Sequence, residues 1–321
     1  MLRLGLCCLF LREPIRCRTT TAKALRPLRR KERLARVSAL CLNNVASLKA
    51  SVEAVTRLGI GAFRIQSGLF PRATHPEVGY RLEELPDRRR ILALAAEVRA
   101  LAKAQGIRLS FHPDQFVVLS SARPEVVDSS LRELEFQGLQ AELFGAEVIN
   151  IHGGGAEGGK AAALARFKTS FRRLSLRVRR RLSLENDDRV YTPRDLLPLC
   201  RELGVPLVYD AHHHRCLPDG LSVSAATRAA AATWKRLGRA RGSCSSRAVL
   251  RGGDRVPGGR EPYFHISSPR AGWRGGDPRP HADYIDPRDF PKCWLRGRVT
   301  VDVEAKAKEL AILRLRGDLG L

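Results

Sequence analysis

LCRELGVPLVYDAHHHRC, residues 199–216, contains the end of a helix, a turn at Gly204, the apolar run PLVYD and three consecutive histidines. The run PLVYD has the length and composition of a buried strand, and it ends at Asp210. Expression tags lie at chain termini, whereas this histidine run is internal, and the whole chain has only 8 histidines. The stretch therefore indicates a strand that follows a helix and carries chemically active groups at its carboxyl end.

The same alternation of helix and strand patterns continues along the chain. Apolar residues recur every three or four positions in residues 91–104, 130–145 and 163–178, which predicts helices. The strand candidates are RLGLCCL (3–9), AFRIQS (62–67), RLSFH (108–112), VINIH (148–152), RLSLEN (181–186), PLVYD (206–210), YFHIS (263–267) and VTVDVE (299–304).

Eight strands that alternate with helices predict an α/β protein with a (β/α)8 TIM barrel. A doubly wound sheet is the alternative, but it normally has fewer units and a glycine-rich first turn. No domain boundary and no internal repeat is evident in the sequence, so we expect one TIM-barrel domain over residues 1–321. Residues 238–260, rich in glycine and arginine, predict a flexible insertion before the seventh strand.

The amino-acid composition indicates the compartment in which the protein is expected to lie. With 44% hydrophobic residues the chain can bury a sizeable core, and no run approaches the roughly 20 apolar residues of a membrane helix. The opening MLRLGLCCLF is expected to be a strand rather than a signal peptide, because Arg12 and Glu13 follow it and no cleavage site is evident. The 8 cysteines lack C-x-x-C spacing, which predicts reduced thiols in the cytoplasm.

The charge balance predicts a polyanionic partner. The chain has 57 lysines and arginines against 33 acidic residues, a net charge of +24. The excess is clustered: residues 12–36 carry ten basic residues, and residues 172–181 carry six arginines. A field of this sign attracts nucleic acid and accelerates its association.

Histidines and carboxylates stand at the carboxyl ends of the predicted strands, where a barrel enzyme has its active site. One such histidine would be explained as a satisfied core side chain, but recurrence over several strands favours a metal site. The carboxylates Glu185, Asp210 and Glu304 are the candidate catalytic residues. The candidate metal ligands are His112, His152, Glu185, Asp210, His213, His265, His281 and Glu304.

The ligand types restrict the metal and the substrate. Imidazole with carboxylate suits zinc or manganese, whereas an oxygen-only set would suit magnesium or calcium. Ligands from several strands imply two to three ions, and ions roughly 3.5–4 Å apart clamp the attacking and leaving oxygens of a phosphodiester. Three carboxylates neutralise only part of the charge of such ions, which favours a phosphate over a neutral sugar.

Two further motifs lie close to these residues. GGAEGGKA (154–161) matches G-x-x-x-x-G-K, but Ala161 replaces the hydroxyl that would hold Mg²⁺, so we expect no ATP site. Gln115 and Phe116 follow His112 and are candidates for nucleic-acid binding, an amide for base edges and a ring for stacking. Ordinary loop packing is the alternative interpretation for Phe116.

The sequence resembles the UV damage endonuclease family, whose fold is related to that of endonuclease IV. The resemblance is carried in order by RLGLCC, GIGAFRIQS, SFHPDQFVVLSS, VINIHGG, LSLENDD, LVYDAHHHRC, FHISSP, HADYID and VEAKAKELAILRL. It implies a barrel with three divalent metal ions, manganese favoured, that cuts double-stranded DNA immediately 5′ to a damaged nucleotide without ATP.

The resemblance also implies roles for single residues. His112, His152 and Glu185 would hold one ion, and Glu185 would bridge to a second held with Asp210, His265 and Glu304. His213 and His281 would hold the third, and Gln115 and Phe116 match the lesion-probing pair. Tyr263 departs from the family, because some members have a carboxylated lysine there.

The resemblance further implies a hydrolase that acts as a monomer in the cytoplasm, associated with the nucleoid. An apurinic-site endonuclease without preference for photolesions is the near alternative. A metal-dependent sugar isomerase is expected to have more carboxylates at its metal site and a less basic rim of the barrel. A non-catalytic nucleic-acid-binding protein would explain the net charge but would leave the residues at the strand ends without a role.

Overall fold

The computed structural model describes residues 2–236 and 260–321 and contains a closed barrel of parallel strands in sequential order. This confirms the predicted (β/α)8 barrel, and a strand lies at each predicted place, in most cases one or two residues shorter. The strands are β1 (Leu2–Cys7), β2 (Ala62–Ile65), β3 (Arg108–Phe111), β4 (Val148–His152), β5 (Leu182–Glu185), β6 (Leu207–Asp210), β7 (Tyr263–Ile266) and β8 (Val299–Val303).

Helices connect the strands and cover the outside of the barrel. Short 3₁₀ turns lie at Ser67–Leu69, Leu82–Glu84 and Pro287–Asp289. In the described residues the α-helices are α1 (Ala22–Leu25), α2 (Arg30–Arg57), α3 (Arg88–Ala104), α4 (Pro124–Phe144), α5 (Lys160–Arg173), α6 (Leu176–Arg179), α7 (Pro193–Leu203), α8 (Ala211–Cys216), α9 (Val223–Arg236), α10 (Lys292–Leu295) and α11 (Glu309–Asp318).

The ends of α7 show how local sequence sets the entry into β6. Thr192 and Asp195 form a capping box, and Pro193 occupies the first turn, where its missing N–H is not needed. The helix ends at Gly204, whose φ of +66° is the left-handed conformation that glycine adopts without strain. The chain then turns directly into the buried strand that ends at Asp210.

The prediction of one continuous helix over residues 163–178 was wrong. Helix α5 ends at Arg173, and Leu174 adopts an extended conformation (φ −71°, ψ 145°). Ser175 then caps α6, and its backbone N–H and hydroxyl both donate to Glu135 on α4 at 2.7 Å. Serine competes for local hydrogen bonds at helix termini, and this preference prevails over the apolar periodicity.

The predicted insertion at residues 238–260 lies outside the described residues, apart from Arg260 at its end. Arg260 donates to the backbone carbonyls of Glu147 and Arg180, which precede β4 and β5. None of the helices in the two described ranges combines the length and apolar character that crossing a bilayer requires.

The inside of the barrel is polar, whereas the surface that faces the helices is apolar. In β8, Thr300 and Asp302 alternate with Val299, Val301 and Val303, and all five are buried. Successive side chains of a strand point to opposite faces, so one set lies inside the barrel and the other packs under the helices. The interior therefore contains groups that need partners.

Hydrogen bonds across the barrel supply those partners. Arg108 on β3 donates to Thr300 on β8 at 2.7 Å, and the hydroxyls of Ser110 and Tyr263 lie 3.1 Å apart. Strands β3 and β8 are not neighbours in the sheet, so these bonds pass through the interior. Above this level the strands deliver the histidines and carboxylates of the candidate site.

Candidate metal centre

Glu185, the last residue of β5, is the centre of the site. It is 1% exposed, and four histidines surround its carboxylate. The Oε2 atom lies 3.0 Å from His112 Nε2 and 4.0 Å from His152 Nε2. The Oε1 atom lies 3.0 Å from His265 Nδ1 and 3.4 Å from His213 Nδ1. The parallel register places His152 of β4 beside Glu185 of β5 and Asp210 of β6 beside His265 of β7, which explains how four strands converge.

The histidine run begins α8, and Asp210 is the N-cap of that helix. Asp210 Oδ1 accepts a hydrogen bond from the backbone N–H of His213 at 2.7 Å, which fixes the first turn. His213 Nδ1 then lies 3.7 Å from Asp210 Oδ2 and 3.0 Å from the carbonyl oxygen of Asn186. The other two histidines are buried: His214 contacts Tyr209 and Asp219, and His212 contacts Arg279.

Glu304 lies just past β8 and completes the site on the opposite side. Its Oε1 atom lies 3.5 Å from His265 Nδ1, and its Oε2 atom lies 3.8 Å from His281 Nδ1. The ring centroids of His213 and His281 are 6.2 Å apart. The structure thus brings together all eight residues that the sequence predicted as metal ligands.

Electrostatics hold the carboxylates charged. Burial alone would raise the pKa of Glu185, but His265 and His152, with hydrogen bonds from His112 and His213, hold it well below its ordinary value. Burial would also raise the pKa of Glu304, but Arg64 and His265 lower it far more. Both groups are therefore anionic at neutral pH.

The pKa values of His152, His213 and His265 are shifted in different directions by their surroundings. Burial lowers the pKa of His152, so this imidazole is neutral and able to bind a cation. Burial would lower the pKa of His213 as well, but Asp210 and Glu185 raise it well above its ordinary value. The pKa of His265 is also raised, because Glu185 outweighs burial and Arg64.

The donor set fits divalent metal ions. One group combines His112, His152 and Glu185, and a second combines Glu185, Asp210 and His213, each with candidate ligand atoms within 4.8 Å of one another. Among the described residues, the buried atoms His152 Nδ1 and Asp210 Oδ2 have no hydrogen-bond partner. Buried polar atoms normally have a hydrogen-bond partner, so these two unpaired atoms support the presence of a bound cation at the site.

Arg64, Asn150 and Asp302 also belong to this site, although they were not among the residues predicted from the sequence. Asn150 on β4 donates to Glu185 Oε2, and Ser183 holds its amide oxygen at 2.9 Å. Arg64 on β2 donates to Asp302 at 3.0 Å and to Glu304 at 2.7 Å. Arg64 and Asp302 could have been identified from the sequence, because each is a charged residue inside a short apolar strand, AFRI and VTVDV respectively.

Gln115 and Phe116, the remaining predicted site residues, lie on the loop that follows β3. Both are exposed, Phe116 to 78%. Lys160, the lysine of the G-x-x-x-x-G-K match, opens α5 and pairs with Asp195 at 2.7 Å. Tyr263 does not reach Glu185 but donates to Asp302 at 2.8 Å beneath the site.

Comparison with known proteins identifies the family. The sequence profile described as UV-endonuclease UvdE matches residues 2–320. This chain belongs to the UvdE family. The UV DNA damage endonuclease of Deinococcus radiodurans is 33% identical over 329 residues, which cover 98% of this chain and 94% of that protein. The membership confirms the family resemblance that the motifs indicated.

Solved structures agree with this UvdE assignment. The crystal structure of SacUVDE superposes with a TM-score of 0.81 and 27% identity, covering 100% of this chain and 98% of its own. Endonuclease IV from Thermus thermophilus gives a TM-score of 0.58 and 19% identity, covering 99% of this chain and 98% of its own. At that identity the likeness to endonuclease IV shows a shared barrel fold alone.

The raised pKa values of His213 and His265 predict that Mn²⁺ binding depends on pH. A raised pKa means that each ring keeps its proton above the ordinary value of 6.5, and an ion must displace that proton. Mn²⁺ affinity should therefore rise as pH increases from about 6 to 8. Calorimetry in buffers of different ionisation enthalpy should count protons released on binding.

The variant His75→Gln is the control, because His75 Nδ1 accepts hydrogen bonds from the backbone N–H groups of Glu77 and Val78 and is not one of the proposed ligands. It should leave the proton release unchanged. An Mn²⁺ affinity that is independent of pH, without proton release, would contradict the assignment of His213 and His265.

Proposed function

We propose that this chain is a metal-dependent DNA repair endonuclease that hydrolyses the phosphodiester immediately 5′ to UV photolesions. Membership in a family of UV endonucleases gives the reaction class, and the convergence of four histidines on Glu185 is the observation that carries the proposal. We further propose that it acts as a monomer, one barrel domain over residues 1–321, on nucleoid DNA in the cytoplasm.

The proposed metals are two to three divalent ions, with Mn²⁺ favoured and Mg²⁺ or Zn²⁺ as alternatives. Such ions supply Lewis-acid activation of the phosphate and of the attacking water, and they stabilise charge on the leaving oxygen. The ligands we propose are His112, His152, Glu185, Asp210, His213, His265, His281 and Glu304.

The chain's own residues set the charge and the orientation of this site. Glu185 and Glu304 stay anionic, because their pKa values are lowered. Together with Asp210 they are the proposed catalytic carboxylates, and Glu185 is shared between two ligand groups. Asn150 and Ser183 restrain Glu185 from below, and Asn186 restrains the backbone of Asp210 at 3.0 Å. Glu185 and Asp210 are fully buried, whereas the Glu304 side chain is 17% exposed.

An apurinic-site endonuclease of the endonuclease IV type remains the second candidate function. It has the same need for a phosphate-binding metal centre, and it differs in the lesion that it recognises. Comparison of cutting rates on a duplex with a cyclobutane dimer and a duplex with an abasic site separates the two. Faster cutting of the abasic duplex would favour the second candidate.

Glu185→Gln should abolish cutting of dimer-containing DNA and leave DNA binding largely intact. The amide keeps the shape but loses the charge that holds two ions together. Cutting should be measured with end-labelled duplex at saturating Mn²⁺, and binding by fluorescence anisotropy. Glu202→Gln is the control, because Glu202 is a half-exposed carboxylate on α7, paired with Lys168. Activity of Glu185→Gln within about tenfold of the wild type would exclude a bridging role.

The two arginine clusters should differ in their effect on DNA binding. Residues 12–36 follow β1 on the catalytic face, whereas residues 172–181 lead into β5 from the opposite face. Changing Arg12, Arg16, Arg18 and Arg26 to glutamine should flatten the dependence of affinity on salt, by about 0.9 log units per log salt for each phosphate that is no longer neutralised.

Changing Arg172, Arg173, Arg177 and Arg180 to glutamine removes the same charge and should leave the salt slope unchanged. All eight side chains are exposed, so the two variants are matched. Equal slopes in the two variants would show that the binding face has been assigned wrongly.

Gln115→Ala combined with Phe116→Ala should remove the preference for damaged over undamaged duplex. Unstacking is easier at a damaged base, and an exposed ring can fill the vacated space. Stacking on one aromatic ring contributes about 1–3 kcal/mol per base, so selectivity should fall by roughly one to two orders of magnitude. Bound manganese should stay at the wild-type level, and preserved selectivity would identify the pair as loop packing.

A further inference from the structure

A fully buried carboxylate, Asp302, lies beneath the metal centre. Its Oδ1 atom accepts a hydrogen bond from the Tyr263 hydroxyl at 2.8 Å, and its Oδ2 atom accepts one from Arg64 Nε at 3.0 Å. Strand β1 leaves space for it, since a Cβ on Gly5 would lie 2.2 Å from Asp302 Oδ1. A buried charge is unfavourable unless it is paired and hydrogen-bonded, so three strands are adapted to this one group.

His265 stands between Asp302 and the centre. Its Nδ1 edge faces Glu185 Oε1 at 3.0 Å and Glu304 Oε1 at 3.5 Å. Its Nε2 edge faces the other way, 3.0 Å from Arg64 Nη2 and 3.9 Å from Asp302 Oδ2. A cation held by the two glutamates would therefore be bound by Nδ1 of His265.

Binding through Nδ1 leaves the ring proton on Nε2, which then needs an acceptor. Metal-binding histidines usually donate their second nitrogen to a carboxylate, a carbonyl or water, and this bond fixes the ring. A guanidinium can only donate, so in this structure Arg64 Nη2 donates to an unprotonated Nε2 at 3.0 Å, and Arg64 could not accept a proton from that nitrogen. Asp302 Oδ2 is the carboxylate oxygen on this side of the ring, at 3.9 Å from Nε2. It would have to approach Nε2 to about 3 Å to accept the Nε2–H once an ion occupies Nδ1.

We propose that Asp302 is a positioning residue for the metal centre, which accepts the Nε2–H of His265 while Nδ1 binds a divalent ion. The proposal rests on the metal site proposed above. Tyr263 and Arg64 hold the Asp302 carboxylate in place from its two oxygens. Arg64 also donates to Glu304 Oε1 at 2.7 Å, so the same group of residues orients two proposed ligands.

A purely structural role for Asp302, neutralising the buried charge of Arg64, makes a different prediction. In that case its loss would lower the stability of the barrel without a specific effect on ion binding. Glu261 offers the comparison, because its side chain is 7% exposed and pairs with Arg3, Arg108 and Arg298 before β7, at the other end of the barrel.

The test compares Asp302→Asn with Glu261→Gln in the full chain. Each protein is treated with EDTA, dialysed and titrated with Mn²⁺ alone, and free Mn²⁺ is measured by electron paramagnetic resonance. Asp302→Asn should weaken at least one bound ion about 10–100-fold, whereas Glu261→Gln should bind Mn²⁺ like the wild type. Wild-type affinity in Asp302→Asn, or an equal loss in both variants, would overturn the proposal.

Tyr263→Phe is the second variant, in case Asp302→Asn does not fold. It keeps both buried charges and removes only the hydroxyl that holds Oδ1. Mn²⁺ affinity should fall roughly fivefold, the equivalent of one ordinary hydrogen bond, and an unchanged affinity would overturn the proposal. Because the readout is Mn²⁺ binding, a wild-type protein that binds Mn²⁺ but cuts no DNA would contradict the proposed nuclease function alone.

Discussion

Charges buried inside the barrel must compensate one another, and the rest of the structure depends on this constraint. Two arginines, Arg64 and Arg108, lie in the interior at 8% and 6% exposure, and each is paired with carboxylates from other strands or loops. Removal of one partner of a buried pair typically costs about 3–5 kcal/mol, because the other charge is left uncompensated. Each inward charge therefore restricts which residue types can occupy the neighbouring interior positions. The ion pairs also connect strands that are not hydrogen-bonded to each other in the sheet.

The same constraint supports the proposal that the centre binds cations. Glu185, Asp210 and Glu304 bring three carboxylates to one place, and Arg64 is the arginine that contacts them, through Glu304. The chain as a whole carries +24, so its surface attracts a polyanion, whereas the carboxylates at the centre would repel a phosphate. The divalent ions proposed above would reverse this local sign, so that the centre could hold a phosphate.

The sequence predicted the barrel and the proposed ligands because both depend on local order. Strand and helix patterns alternate visibly, and the carboxyl ends of parallel strands meet at one face, so His112, Glu185 and His265 could be grouped without knowing any distance. It did not predict Arg64 with Asp302, which are 238 residues apart and meet only across the interior. Pairing between inward side chains of different strands depends on register and strand tilt, and neither is written in the pattern of one strand.

The buried pairs also limit where the specificity of the enzyme can change. A substitution at Asp302, Tyr263 or Arg64 disturbs several strands at once, because each of these residues contacts two or more interior groups. Phe116, in contrast, is 78% exposed and contributes little to the core, so its replacement leaves the barrel intact. Endonuclease IV shares the barrel at 19% identity, which shows that the architecture tolerates extensive sequence change. Lesion selectivity is therefore expected to reside in the exposed loops, while the interior sets the charge and geometry that all such enzymes need.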